Sequence, residues 1–176
     1  MPRNVEIKAR VCNLAAVRRA VEAVADGPPA LLIQSDTFFA VPRGRLKLRA
    51  FTDGTAELIS YLRHDVAGPR ESRFAKVAVN DPDALTGVLG AALGVAGVVR
   101  KRRDLYRRGP TRIHLDEVDD LGSFLELEVE LEEGEAVADG ERIARELMAR
   151  LGIADENLVA TAYVDLLRDR RSNTEE

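Results

Sequence analysis

Acidic and apolar residues alternate without a break from Leu125 to Glu132, in the sequence LELEVELE. Successive side chains of a β-strand point to opposite faces, so this segment would have one apolar face and one face of carboxylates. Like charges side by side on a strand repel each other, and a bridging cation would relieve that repulsion. Mg²⁺ prefers carboxylate and water oxygens, which makes Glu126 and Glu128 candidate metal ligands.

Basic residues alternate with apolar residues in other segments. Lys47 and Arg49 share one face of the sequence RLKLRAF, and Lys101 and Arg103 share a face later in the chain. Arginine binds phosphate oxygens in bidentate pairs and lysine binds them as a point charge, so the pattern predicts a site for a polyphosphate with a divalent metal. The side chains that could form this site are Glu6, Lys8, Lys47, Arg49, Arg63, Lys101, Arg103, Arg112, Asp116, Glu126 and Glu128.

These polar faces have two alternative placements. They could be the wet side of a half-buried sheet, which is the ordinary fate of a charged strand face. They could instead line the inside of a closed barrel, with helices covering the apolar faces from outside. The sorting of the strands by charge sign favours the barrel, and eight strands make a barrel wide enough for side chains and a small ligand.

Alternation and turn signals predict about eight strands and about four helices. Tight turns join most consecutive strands, so the sheet should be largely antiparallel. Asn13 is the expected N-cap of the first helix, whose apolar stripe ends at Val24. The predicted strands are 5–11, 31–41, 45–51, 56–66, 72–79, 98–107, 111–118 and 125–132, and the later predicted helices are 83–93, 139–151 and 158–167.

The composition narrows the class of protein. The chain has 176 residues, which suits one domain, and its formal net charge of −4 argues against a general nucleic-acid binder. The single cysteine, Cys12, excludes a disulfide within the chain and fits a reducing cytoplasm. The N-terminus has no apolar signal core, and the longest uncharged run, 84–99, is too short for a typical membrane-spanning helix. We therefore expect a cytoplasmic protein with no membrane partner, in which 84–99 forms a buried helix and a buried strand.

Two common nucleotide and metal motifs are absent from the sequence. There is no GxxxxGK[ST] stretch, so a P-loop does not hold the phosphates. There is no HExxH motif and no Cys–His cluster, which argues against a zinc hydrolase.

Several segments together resemble the CYTH domain, the family of class IV adenylyl cyclases and thiamine triphosphatases, also called the triphosphate tunnel metalloenzymes. The resemblance covers nearly the whole chain, and its last segment is most similar to the class IV cyclase branch. The segments are VEIKARV, GRLKLR, LISYLR, Lys101-Arg102-Arg103 and IHLDEVDDLGSFLELEVEL. The resemblance implies an α+β fold, in which an eight-stranded antiparallel β-barrel forms a tunnel and helices pack outside it. The tunnel would bind a nucleoside or inorganic triphosphate with Mg²⁺ or Mn²⁺.

The resemblance also assigns roles to residues. Glu6 and Lys8 match the second Glu and the Lys of the family's ExExK motif, whereas Asn4 replaces the first Glu and would weaken or rearrange a second metal site. The implied catalytic residues are Lys8 and Asp116. The expected metal ligands are Glu6, Asp116, Glu126 and Glu128, and the expected substrate-binding residues are Lys8, Lys47, Arg49, Arg63, Lys101, Arg103 and Arg112.

Two further residues are open to functional and structural interpretations. His114 shares a face with Asp116 and could donate to a phosphate, orient Asp116 or be a structural histidine. Tyr163 is expected to pack the last helix and not to touch a substrate. One domain is expected over 1–170 with a flexible tail over 171–176, and the resemblance allows a homodimer.

The leading functional hypothesis is a class IV adenylyl cyclase-like enzyme that converts ATP to cyclic AMP and pyrophosphate. One alternative is a triphosphatase that hydrolyses inorganic, nucleoside or thiamine triphosphate, since the same tunnel would serve both reactions. Another is a non-catalytic module that binds polyphosphate or nucleotide, which Asn4 in the ExExK motif would explain.

Overall fold

The strands of the computed structural model, which describes residues 1–173, form one closed antiparallel barrel. The strands are β1 (Arg3–Arg10), β2 (Ala30–Phe39), β3 (Arg45–Phe51), β4 (Ala56–Arg63), β5 (Arg70–Ala78), β6 (Val95–Arg108), β7 (Thr111–Val118) and β8 (Gly122–Leu131). The helices are α1 (Leu14–Val24), α2 (Pro82–Leu93), α3 (Val137–Leu151) and α4 (Tyr163–Ser172). The order around the barrel is β1-β5-β4-β3-β2-β6-β7-β8. The predicted α+β fold, an eight-stranded antiparallel barrel with helices packed around it, is confirmed.

Apolar residues on the outer surface of β1 and β8 lie under α1 and α3. Val5 pairs in register with Val129, and both are buried in the main core beside Leu147 of α3. Gly140 brings α3 close to the barrel, because a Cβ atom there would lie 2.7 Å from Val5 Cγ2. Since a strand alternates its side chains, burying the apolar face under helices turns the charged face inward. The polar faces of these strands therefore line the barrel interior.

A second core closes one end of the barrel. Phe38, Val99 and Phe124 pack there against Tyr163 and Leu167 of α4. The rings of Phe124 and Tyr163 meet edge to face, with centroids 4.9 Å apart. This geometry is typical of stabilising aromatic pairs, so α4 is held firmly over this end.

The last helix lies later in the chain than the predicted range 158–167. The Val159 N–H donates to the Lys8 carbonyl at 2.8 Å, and Leu158 forms a β-bridge with Ala9, so this stretch is extended. The helix begins only at Tyr163 and continues to Ser172. Of the expected tail over 171–176, residues 171 and 172 belong to this helix, and 174–176 lie outside the described residues.

The prediction that 84–99 is buried was wrong except for Val99, its last residue, which is buried. No residue of α2 is buried, and Val88 and Val95 are 64% and 52% exposed. The helix lies on the outside of β2 and β3 and covers only part of their apolar surface. Among residues 1–173, no helix combines the length and the apolar character needed to cross a membrane.

Candidate functional site

The barrel encloses a cavity of about 320 Å³. Phe38, Val99 and Tyr163 form its floor at the end closed by α4. The opposite end opens beside Lys76, whose side chain is largely exposed. Of the residues predicted from the sequence to form the site, those that line this cavity are Glu6, Lys8, Lys47, Arg49, Arg63, Lys101, Arg103, Arg112, Glu126 and Glu128.

An acidic group lies on β7 and β8 inside the cavity. Each of His114, Glu126 and Glu128 offers one ligand atom, and these atoms lie within 4.8 Å of one another. His114 Nδ1 is buried without a hydrogen-bond partner, and such an atom is costly unless a ligand satisfies it. Two carboxylates and an imidazole fit a divalent cation, and the carboxylates suit Mg²⁺ or Mn²⁺.

Both carboxylates of this group are ionised near neutral pH. Burial raises the pKa of Glu128, but the charges of His114 and Arg112 outweigh burial and lower the pKa to about 2. Burial also opposes ionisation of Glu126, yet the charge of Lys101 and other bases holds its pKa well below the usual range. The group therefore presents negative charge without protonation at neutral pH.

Asp116 lies behind the cavity wall and is fully buried. Its Oδ1 accepts from Arg103 Nε at 2.6 Å, and its Oδ2 accepts from Lys101 Nζ at 2.8 Å and from the Tyr163 hydroxyl at 3.0 Å. Burial opposes its ionisation, but Arg103 and Lys101 keep its pKa well below the usual range. Its oxygens are thus occupied by donors, and the structure does not bring it into the group formed by His114 and its two neighbouring glutamates.

Glu6 is surrounded by arginines and is not part of the acidic group. It accepts a hydrogen bond from Arg63, and Arg70 Nη2 lies 3.6 Å from Glu6 Oε1. Arg63 and Arg70 each have a buried Nε and a buried Nη2 without a hydrogen-bond partner. Arg63 lines the cavity, and its unsatisfied donors suit an anion there.

Lys8 lies at the floor of the cavity. Its Nζ donates to the Thr161 carbonyl at 3.0 Å, lies 3.4 Å from Glu126 Oε1 and stacks 3.8 Å above the Tyr163 ring. Burial lowers the pKa of Lys8 to about 8, although Glu126 acts in the opposite direction. Tyr163 packs the last helix as expected, and it also lines the cavity, lies beneath Lys8 and donates to Asp116 behind the cavity wall.

Asp36 holds the two bases of β3. It is buried on β2, and its carboxylate accepts from Lys47 Nζ at 2.8 Å and from Arg49 Nε at 2.7 Å. Burial opposes its ionisation, but Arg49 and Lys47 hold its pKa well below the usual range. The two bases are therefore held in fixed positions on the cavity wall.

Arg112 and Asn4 lie nearer the open end. Arg112 donates to Glu128 Oε2 at 2.7 Å and to Glu130 Oε1 at 2.5 Å, so it pairs with an acid of the cavity and with one beyond it. Asn4 lines the cavity, and its Oδ1 is buried without a partner. Because the Asn4 amide oxygen is neutral, this position offers the cavity a hydrogen-bond acceptor that carries no charge.

Sequence reasoning did not identify Asp36 and Arg70 as site residues. Asp36 is the only acidic residue in the apolar strand 31–41, and two-residue spacing puts it on the same face as Gln34 and Phe38. This spacing would have allowed Asp36 to be predicted as a residue of the polar face. Arg70 lies between the predicted strands 56–66 and 72–79, whereas in the structure β5 begins at Arg70, whose guanidinium faces Glu6.

Residues 2–163 match the sequence profile of the CYTH domain. The chain belongs to the CYTH domain family. Members of this metal-dependent family are adenylyl cyclases or triphosphatases. A CYTH barrel therefore accounts for the placement of acids and bases in one enclosed cavity.

The chain is similar to a named CYTH relative and to solved structures of other proteins. Adenylate cyclase CyaB of Aeromonas hydrophila is 29% identical over 100 residues, which are 56% of this chain and 52% of the relative, so the match spans about half of CyaB. The PH1012 protein of Pyrococcus horikoshii OT3 superposes with a TM-score of 0.83 at 25% identity, over 93% of this chain and 98% of that chain. HpAC1 of Hippeastrum, described as having a dominant triphosphatase activity, superposes with a TM-score of 0.66 at 15% identity over 96% of each chain, which shows a shared fold.

Proposed function

We propose that this CYTH protein is a divalent-metal-dependent enzyme that converts ATP to cyclic AMP and pyrophosphate. One observation carries the proposal: the acids Glu126 and Glu128 and the bases Lys47, Arg49 and Arg103 line the same enclosed cavity. Negative ligands for a cation and positive ligands for phosphate are thereby brought to one small volume. The similarity to adenylate cyclase CyaB supports the choice of reaction.

Phosphate binding follows from the donors that the protein leaves unsatisfied. Arg63 has two buried nitrogens without a hydrogen-bond partner, and an unmade hydrogen bond of a charged group is more costly than that of a neutral one. Phosphate oxygens would accept from it at the floor of the cavity, next to Lys8. The β- and γ-phosphates would lie at this closed end and the nucleoside nearer the open end.

The divalent cation would be held by His114, Glu126 and Glu128, which supply two ionised carboxylates and one unpaired imidazole nitrogen. A bound Mg²⁺ or Mn²⁺ supplies charge neutralisation on the phosphates and lowers the pKa of a coordinated hydroxyl. Glu6, which pairs with Arg63, would position that arginine and not ligate the cation.

In the cyclase reaction, the ribose 3′-oxygen forms a bond to the α-phosphorus. The bond from the α-phosphorus to the oxygen bridging the α- and β-phosphates breaks, and pyrophosphate leaves with that electron pair. The hydroxyl proton passes to water at the open end, because donors occupy the Asp116 oxygens. Lys8 would stabilise the charge of the departing pyrophosphate, and Asp116 would position Lys101 and Arg103. Such catalysis is mainly positioning and electrostatic stabilisation.

A triphosphatase is the second candidate. The observation in its favour is that Lys8 Nζ lies 3.4 Å from Glu126 Oε1, so one acid of the metal group lies beside the floor of the cavity. A terminal phosphate bound there would be close enough for attack by water on its phosphorus. A non-catalytic module remains the third candidate, because Asn4 replaces an acidic residue of the ExExK motif.

One experiment separates the three candidates. The purified protein is incubated with Mn²⁺ or Mg²⁺ and with ATP, inorganic triphosphate or thiamine triphosphate, and the products are identified by chromatography and a phosphate assay. Cyclic AMP with pyrophosphate supports the cyclase, and release of orthophosphate supports the triphosphatase and overturns the cyclase. Binding of a triphosphate without turnover overturns both enzymes.

A further inference from the structure

The open end of the cavity has an apolar side. Leu32, Phe51 and Leu105 line the cavity on the adjacent strands β2, β3 and β6. We name these three residues the apolar shelf. All three are partly buried, and within the described chain they are not among the residues that form or pack against the two hydrophobic cores. Their apolar surface therefore faces the cavity and not the protein interior.

The apolar shelf adjoins the phosphate-binding bases. Phe51 follows Arg49 by two residues on β3, and Leu105 follows Arg103 by two residues on β6, in each case toward the open end. Leu32 lies between them on β2 and pairs in register with Arg103. Two residues of a strand span about 7 Å, which leaves room for a sugar between a phosphate held by the arginines and a ring on the shelf.

The remaining wall of the open end is mainly polar, although Phe74 on β5 also lines the cavity. Arg112 on β7 and the pair formed by Lys76 Nζ and Glu57 Oε1, 2.8 Å apart, line it. An apolar wall opposite polar groups suits a flat heterocycle, which covers apolar surface with its face and offers hydrogen-bonding atoms at its edge. Inorganic triphosphate has no apolar group that could cover the apolar shelf and exclude water from it.

We propose that the apolar shelf binds the base of a nucleoside triphosphate and thereby selects nucleoside triphosphates over inorganic triphosphate. This inference rests on the proposed triphosphate site. Phe51 supplies an aromatic ring for stacking, and Leu32 and Leu105 extend the apolar contact on either side. The apolar shelf gives this chain a preference for a base-carrying substrate that its phosphate-binding residues alone would not produce.

The test compares two ligands that differ only in the nucleoside. One is an ATP analogue with methylene groups in place of both bridging oxygens of the triphosphate, and the other is the same triphosphate analogue ending in a methyl ester. Both carry the same charge and neither is cleaved, so calorimetry in Mn²⁺ measures binding alone. We expect the wild-type protein to bind the nucleoside analogue about tenfold more tightly.

Variants identify the residues that provide this preference. Phe51→Ala and Leu32→Ala should each remove most of the preference while affinity for the methyl ester stays unchanged. Leu31→Ala is the matched control, because Leu31 neighbours Leu32 on the same strand but is 54% exposed on the outside of the barrel. It should leave both affinities unchanged.

The possible failures are distinguishable. If the wild-type protein binds the two analogues with equal affinity, the proposed role of the apolar shelf is wrong, but the triphosphate site is not contradicted. This comparison does not depend on any variant folding. Equal loss of both affinities in Phe51→Ala and Leu32→Ala also overturns that role. Binding of neither analogue overturns the proposed function and the apolar shelf together.

Discussion

Asp36 and Arg49 form a two-pronged ion pair inside the barrel, with Arg49 Nε 2.7 Å from Asp36 Oδ1 and Arg49 Nη2 2.8 Å from Oδ2. Asp116 and Arg103 repeat the arrangement on β7 and β6, with both distances 2.6 Å. Each aspartate also accepts from a lysine two residues away from its arginine. Bidentate pairs of this kind fix a guanidinium in direction as well as position. The protein therefore aligns the bases that we propose bind phosphate, without needing a substrate to do so.

Replacing Asp36 with asparagine should destabilise the protein, and an anion should partly reverse the effect. Removal of one partner leaves Lys47 and Arg49 buried without their counter-charge, so the free energy of unfolding should fall by about 3 kcal/mol. Tripolyphosphate should reduce this loss, because it restores negative charge beside the two bases. Urea unfolding with and without tripolyphosphate measures both quantities.

Asp169→Asn provides the control for Asp36→Asn, because Asp169 is exposed on α4. It should change the free energy of unfolding by less than about 0.5 kcal/mol. If Asp36→Asn lowers the free energy of unfolding by the same amount with and without tripolyphosphate, the proposed anion site beside these bases is contradicted.

Glu126→Gln and Glu128→Gln should each abolish most metal-dependent turnover while the fold stays intact. The amide keeps the shape of the side chain but removes the charge that a divalent cation needs, so we expect the rate to fall on the order of 100-fold. Glu130→Gln is the matched control, because Glu130 lies on the same face of β8 but outside the cavity lining. Product assays, Mn²⁺ titration and circular dichroism are the measurements; unchanged rates with unchanged Mn²⁺ affinity would remove both glutamates from the site.

Triphosphate affinity should fall as the pH rises through about 8, in part because Lys47 loses its proton. Burial, followed by the charge of Arg49, lowers the pKa of Lys47 to about 8. The groups around it are Asp36, which opposes this shift, Lys101, which adds to it, and the ring of Tyr61. Because phosphate binds the charged form, binding is full below this pKa and weakens above it, by at most about tenfold per pH unit for one proton.

Lys47→Arg should flatten this pH dependence, because an arginine keeps its charge across the whole range. Calorimetric affinities of the methylene-bridged ATP analogue between about pH 7 and about pH 9 provide the measurement. An identical slope in the wild-type protein and in Lys47→Arg would show that Lys47 does not titrate in this window.

Tyr163 should have separable contributions from its hydroxyl and its ring. Tyr163→Phe removes only the hydrogen bond to Asp116, so we expect a loss of about 1 kcal/mol in the free energy of unfolding. Tyr163→Ala also removes the ring that packs on Phe124 and lies beneath Lys8, and should cost about 3–5 kcal/mol. Urea unfolding of both variants checks the difference; equal losses would mean that the ring does not support the closed end.

Local pattern was a reliable guide to which residues share a face. Glu126 and Glu128 on one strand, and Lys101 and Arg103 on another, were paired by two-residue spacing, and all four line the cavity. The reason is that side-chain direction alternates along a strand regardless of what the strand packs against. The same rule would have placed Asp36 in the cavity, but an isolated acid in an apolar strand is a weak signal beside a run of four.

Contacts between distant segments could not be predicted in this way. The sequence alone determined the period of the strands, the sign of the charge on each polar face and the resemblance to the CYTH domain. Only the tertiary structure decided that these faces point into a closed barrel and that α4 closes one end with Tyr163. It also decided that Asp116 lies behind the wall and not in the acidic group of His114, Glu126 and Glu128. Alternation is a property of one strand, whereas the inside of a barrel exists only once all eight strands have paired and the helices have covered the opposite faces.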